Sequence, residues 1–163
     1  MNYSLRYIKI GMLASVALFL SLVAFNNVVD FNSNWLFVHH VLSMDTTFHE
    51  TALMGRAITD SNLQKLAYYF IIIWQVIAAT LCWIGCFILV SKIKNKDFDS
   101  YKQTAFIGLF LGFLLYMVGF LVIGGEWFAM WQSPNWNGQM KAGLFLNFIM
   151  FMMIFLNTAD DSR

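Results

Sequence analysis

An all-α integral membrane bundle of four helices is the fold class that three features of this 163-residue sequence predict. Hydrophobic residues make up 60% of the chain and charged ones only 12%, whereas a soluble domain carries about 25% charged residues. Such a chain lacks the polar residues to cover a soluble surface. Four apolar stretches approach or exceed the roughly 20 residues that cross a hydrocarbon core about 30 Å thick. None of them alternates apolar and polar residues as lipid-facing strands do, so the spans are helices and not barrel strands. Residues 1–163 read as a single transmembrane domain.

The first span is placed at Tyr7 to Phe25, behind the basic residues Arg6 and Lys9. Its apolar run is long and no small-residue cleavage site precedes Asn26, which argues for a retained helix over a removed signal. Residues 26 to 66 then form a 41-residue connection that is too long for a bare linker. Phe37, Val38, Val41 and Leu42 recur at helical spacing, with His39, His40 and Ser43 on the other side, as in a short helix lying in the interface. Thr47 with Glu50, and Ser61 with Gln64, have capping-box spacing, the second pair where the next span begins.

The second span is placed at Ala67 to Val90 and contains Cys82 and Cys86, one turn apart. Neighbouring turns hold Cβ atoms about 5–6 Å apart, while a disulfide wants about 3.8 Å, so both thiols are expected to stay free and pack as small residues. The third span is placed at Thr104 to Ile123, and the fourth at Met140 to Asn157, interrupted by Asn147. Small residues recur on single faces: Gly11 and Ser15 on the first helix, Ala78, Cys82, Gly85 and Cys86 on the second, Gly108, Gly112 and Gly119 on the third. Such faces let helix backbones approach closely.

Orientation follows from the cations, which are retained on the cytoplasmic side. Arg6, Lys9, Lys92, Lys94, Lys96, Lys102 and Arg163 fall on one side, and Arg56, Lys65 and Lys141 on the other. Seven against three puts both termini in the cytoplasm and residues 26 to 66 and 124 to 139 outside. The formal net charge of +1 supplies no clustered basic footprint for nucleic acid.

Few residues carry chemistry. Gln75 and Asn147 lie about 10–12 Å below the outer surface on the second and fourth helices and are expected to bond to each other. Glu126 follows Gly124-Gly125 at the outer end of the third helix, among Trp127, Phe128 and Trp131. A carboxylate at membrane depth is costly and often functional. An outer pocket is therefore expected with Glu126 at its base and Asn26, Asn27, His40, Asp45, Trp127, Trp131 and Gln132 around it. His39, His40, His49, Asp45 and Glu50 do not have metal-site spacing, because adjacent helical side chains diverge. No nucleophile elbow or phosphate loop is present, so no catalytic residue, cofactor or metal is assigned.

One resemblance emerges from the whole string. Asn26-Asn27, Phe37-Val38, His40 to Thr47, Cys82-Trp83-Ile84-Gly85, Gly124-Gly125-Glu126-Trp127-Phe128, Met130-Trp131-Gln132-Ser133 and Trp136-Asn137-Gly138-Gln139 together resemble the bacterial family of predicted small integral membrane proteins called domain of unknown function 2165. The resemblance implies a bacterial inner membrane and four helices, and no catalytic residue. Most of its motifs fall in the two outer segments, which places the expected working surface on the periplasmic side. Three function classes follow in order. The first is a non-catalytic accessory or binding subunit of a larger membrane complex, with a membrane-protein partner or a second copy of itself beside the lipid bilayer. The second is a carrier of a small molecule, ion or proton using Glu126 and the intramembrane amides. The third is an enzyme acting on a lipid or quinone at the outer leaflet.

Overall fold

A computed structural model of the chain describes residues 3–48, 50 and 52–159; His49 and Arg163 lie outside the described residues. Five α-helices follow in order: α1 Tyr3–Val29, α2 Phe31–Ser43, α3 Ser61–Ser91, α4 Gln103–Leu114 and α5 Gln139–Asn157. From Leu115 to Trp127, α4 continues as a π-helical segment. Short 3-10 turns occupy Ala52–Arg56, Phe98–Tyr101 and Met130–Gln132, and the described residues contain no strand. Four helices are long and apolar enough to cross a membrane: Tyr3–Val29, Ser61–Ser91, Gln103–Trp127 and Gln139–Asn157. The chain is an integral membrane protein built as an all-α bundle.

The helices outrun the apolar stretches that announced them. At about 1.5 Å per residue, the 31 residues of α3 span roughly 46 Å, well beyond a hydrocarbon core about 30 Å thick. Helix formation does not stop where lipid stops; it stops where the backbone is capped. For α3 that cap is Asp60, whose Oδ1 accepts from the backbone N–H of Asn62 and Leu63. The expected Ser61 and Gln64 box does not form, because Gln64 donates from Nε2 to the Ile58 carbonyl and accepts at Oε1 from the His39 side.

Close backbone approach organises the inner half of the bundle, the half that holds the starts of α1 and α4. A Cβ added to Gly108 would lie 2.6 Å from the backbone nitrogen of Cys82, and one added to Gly85 would lie 2.6 Å from the Cβ of Ala105. These contacts join α3 to α4. Leu13, Ala17 and Leu20 of α1, Leu109 of α4 and Ile149, Met152 and Leu156 of α5 complete a core with Cys82 and Cys86, both free thiols. The expected packing role of Gly11 and Ser15 is not met: nothing lies within 4 Å of a Cβ at Gly11, and the Ser15 hydroxyl turns back to the Gly11 carbonyl.

Three cations that serve in the sequence as orientation markers are in fact buried. Arg6 donates to the carbonyls of Ile93 and Asn95 at 2.7 and 2.6 Å and stands over the Phe98 ring, 4.5 Å from its centroid. Lys9 and Lys102 both donate to the Thr158 carbonyl at the C-cap of α5, where the helix dipole favours positive charge. Lys102 also pairs with Asp99. Burial holds the Lys102 ammonium below the usual lysine range, with the Asp99 hydrogen bond opposing that shift. The ends of α1, α3, α4 and α5 are thereby tied together.

At the other end, α2 folds back from α1 at Asp30 and lays Val38, Val41 and Leu42 on Tyr68 and Ile72 of α3 and on Phe128, Ala129 and Met130. The short helix read from the Phe37 to Leu42 stripe is present. Thr46 and Ser133 share a hydroxyl bond of 2.8 Å, and the Gln132 side chain accepts from the Phe48 N–H, so the two outer segments pack on one another.

The Gly108 contact is testable. Gly108→Ala drives a methyl into backbone and should lower stability in detergent by about 1–3 kcal/mol. Gly143→Ala, with open space around the added carbon, should change it by less than about 0.5 kcal/mol. Equal thermal midpoints for the two variants would contradict the close approach of α3 and α4.

Candidate functional site

The change from α to π geometry at Leu115 governs the outer half. In the π-helical segment each N–H reaches back five residues, as Phe128 does to the Ile123 carbonyl at 3.0 Å. Such segments are usually single turns and are frequent at functional sites. This one is 13 residues long. It brings Tyr116 and Phe120 inward, opposite α1 and α5, where Tyr116 packs against Phe145 and Phe120.

Between these elements lies a cavity of about 250 Å³. Its polar wall consists of Asn27 from α1, Asn34 from α2, Tyr68 and Gln75 from α3, Tyr116 from the π-helical segment and Lys141 from the start of α5. Gln75 is buried and its Oε1 accepts from Asn27 Nδ2 at 2.7 Å. The Tyr68 hydroxyl donates to the Asn27 carbonyl at 2.9 Å, which closes the upper end of the same network. Tyr116 is 3% exposed, yet its hydroxyl has no hydrogen-bond partner among the described residues. A buried unmatched hydroxyl costs about 1–3 kcal/mol, so its persistence beside a cavity marks a binding position better than a packing one.

The residues singled out in the sequence divide. Asn27 and Gln75 meet, but Gln75 bonds to Asn27 and not to Asn147, which is exposed on α5. Sequence position gives height along a helix and no direction around its axis, and the direction is what was misread. Glu126 is exposed, with no side-chain hydrogen bond or ion pair to a described residue, so it does not form the base of a pocket. Trp127 and Trp131 are exposed and so is Asn26, which places them on the surface. Arg56 stands over the Trp127 ring and donates to the Trp127 carbonyl, fixing that exposed end.

His40, Asp45 and Gln132 belong to the packing of the outer segments. His40 stacks on Trp136 with centroids 4.5 Å apart, and its Nδ1 meets Asp45 Oδ2 at 2.8 Å. His39, His40 and Asp45 each place one potential ligand atom within 4.8 Å of the others, a convergence that adjacent helical positions argued against. The left-handed turn at Met44 folds Asp45 back toward His40 and accounts for it. His39 Nδ1 meets Gln64 Oε1 at 2.8 Å, so both imidazoles engage protein groups that join α2 to its surroundings. Sequence reasoning missed Tyr68, Tyr116 and Trp136. Tyr116 had a signal: a hydroxyl in the middle of an otherwise apolar span.

The family described as "Predicted small integral membrane protein (DUF2165)" matches residues 5–159. No curated protein and no solved structure matches the chain.

The Asn27 and Gln75 bond predicts a coupling. In a double-mutant cycle of Asn27→Leu and Gln75→Leu, the two losses of detergent stability should fall short of additivity by about 0.5–2 kcal/mol. The cycle of Gln75→Leu with Asn147→Leu should be additive within about 0.5 kcal/mol. The reverse pattern would restore the pairing expected from depth alone.

Proposed function

We propose that this chain, which belongs to the family of predicted small integral membrane proteins just described, is a non-catalytic binding protein of the inner membrane that works in the outer half of its bundle. One observation carries the reading. The Tyr116 hydroxyl is buried without a partner among the described residues on the wall of a cavity where two of the other polar side chains, Asn27 and Gln75, leave an amide oxygen and an amide nitrogen unengaged by described residues. A site with fixed donors and acceptors and spare capacity binds, and a wall lined by amides, phenols and one lysine, with no carboxylate, imidazole or thiol, favours binding over turnover. Glu126, on which a proton or cation carrier would turn, lies on the surface and outside this cavity. Both termini are placed in the cytoplasm and the cavity on the periplasmic side, from the seven-to-three distribution of cations.

A second reading rests on Asn147. Its exposed amide is about 12 Å below the outer end of α5, on a face shared with Leu144, Phe148 and Phe151. An amide facing hydrocarbon is costly, and in membrane bundles such groups hydrogen-bond across helices. A partner helix, from another subunit or a second copy, would cover it and make the chain an accessory component of a larger assembly. Asn147→Leu should then reduce copurification of that partner or the proportion of oligomer, while the monomer stays folded.

Two measurements test the main reading. Chain purified from native membranes in mild detergent should retain a small molecule at one per chain, released by organic extraction and seen by mass spectrometry. Tyr116→Phe should retain about a tenth as much at a thermal midpoint no lower than that of the native chain, and Glu126→Gln should retain as much as the native chain. Retention that ignores Tyr116 and follows Glu126 would move the site out of the cavity. For orientation, a reporter active only in the periplasm should be active when fused after Ser133 and silent when fused at Asn95.

A further inference from the structure

A second, larger cavity lies against the first. It is a groove of about 660 Å³ between α3 and the π-helical segment, roofed by α2, and every residue in its wall is apolar or glycine. Leu63, Leu66 and Phe70 on its α3 edge are 55%, 65% and 59% exposed, so the groove opens sideways toward lipid. Four residues, Phe37, Val38, Ile71 and Phe120, line both spaces, so that only this partition separates the groove from the polar cavity.

Resting on the reading of the chain as a binding protein, we infer that its occupant is one neutral amphiphile, with a carbonyl-bearing head in the polar cavity and a hydrocarbon chain in the groove. The polarity of the two spaces assigns the two ends. Tyr116 Oη is buried without an acceptor among the described residues and Gln75, bonded to Asn27 through Oε1, keeps Nε2 free of any described acceptor, so a carbonyl oxygen, with two lone pairs, satisfies both. The head is neutral because the buried part of the wall holds amides and phenols and no charge; Lys141 is exposed at the start of α5. A carboxylate or phosphate among these groups would be desolvated and unpaired. The chain belongs in the groove because a lipid-open apolar wall offers nothing to a polar molecule and exchanges hydrocarbon with the bilayer at little cost. The groove exists because α3 and α4 are in glycine contact along their inner half, while the π-helical continuation leaves α3 beyond Leu115. For the two ends to be joined, the stacked rings of Phe37 and Phe120, 6.3 Å between centroids, must part.

Two molecular sources share this chemistry: a quinone, with ring carbonyls, and a diacylglycerol, with ester carbonyls. The experiment uses the full chain in phosphatidylcholine nanodiscs and counts bound molecules by native mass spectrometry with decylubiquinone, dioleoylglycerol, and the ubiquinone ring lacking its chain. One of the two chained probes should be retained at one per protein against excess phosphatidylcholine, and which one identifies the source. Tyr116→Phe should weaken that retention about tenfold, the loss of one hydrogen bond. Gly119→Leu should weaken it at least as much by filling the groove, since a Cβ there meets only the Leu115 side chain at 3.7 Å and the variant has room to fold. Leu66→Trp, at the exposed mouth, gives an independent obstruction. Binding of the chainless ring as tight as that of the chained probe, or full binding in both groove variants with loss only in Tyr116→Phe, overturns the amphiphile and leaves a binding protein with a polar ligand. Displacement of both probes by phosphatidylglycerol overturns the neutral head. Failure of every probe, together with no effect of Tyr116→Phe on anything the native chain retains, overturns the binding reading as well.

Discussion

A hydrocarbon surround offers no hydrogen bonds, and the arrangement of this bundle follows from where its polar groups find partners instead. The bond between Asn27 and Gln75 is the clearest case. It joins α1 to α3 in the outer half, and the Tyr68 hydroxyl, by donating to the Asn27 carbonyl, ties the end of α1 to the same network. Losing either amide would leave the other buried without its partner, at a cost of about 1–3 kcal/mol. With α1 and α3 held in this way, α2 has a fixed platform on which to lay Val38, Val41 and Leu42, and the second core forms over it.

The two halves of the bundle solve the packing problem differently. Inward of Leu115 the contacts are made by backbone: Gly108 against Cys82 and Gly85 against Ala105 leave no room for a methyl group. Outward of it the backbone changes pitch, and aromatic side chains take over, with Tyr116, Phe120 and Phe145 meeting at centroid distances of 5.5 and 5.7 Å. Aromatic rings fill space in discrete orientations and leave gaps that interlocked glycines do not. Both cavities lie in that half. The same switch that opens the space thus also orphans the Tyr116 hydroxyl, since at this position no carbonyl of a neighbouring helix is within reach.

Hydropathy made the four spans legible because the membrane core imposes a minimum apolar length, and the short helix α2 was legible because Phe37, Val38, Val41 and Leu42 repeat at helical spacing. Helix ends were not, since Ser61 to Leu66 and Asn26 to Val29 continue helices outside the apolar stretches under control of caps and packing. The partner of Gln75 was misread because sequence position gives height in the membrane but no azimuth, and Asn27 and Asn147 are both within reach in height alone. Glu126 looked buried because glycines and tryptophans surround it in sequence; the π-helical pitch that turns Gly124 and Gly125 inward leaves it exposed. Arg6, Lys9 and Lys102 carried an orientation signal that is independent of whether they are solvated, so their burial left no trace in it.

Strain separates the two ends further. Among the described residues, only Met44 and Ala129 adopt a left-handed backbone without being glycine, at φ of 54° and 51°. Each such residue costs about 1–3 kcal/mol and persists where its surroundings over-determine it. Both are fully buried in the outer core, where Met44 ends α2 and Ala129 starts the turn after the π-helical segment. The opposite end, where α1 starts, has no counterpart among the described residues: there Arg6, Lys9 and Lys102 clamp backbone carbonyls, and loosening it would strand buried charge. Rearrangement is therefore least costly at the outer end, where strain stored in two turns offsets part of the packing that would be lost. That is the end at which Phe37, carried on α2, and Phe120, carried on the π-helical segment, stand between the polar cavity and the groove.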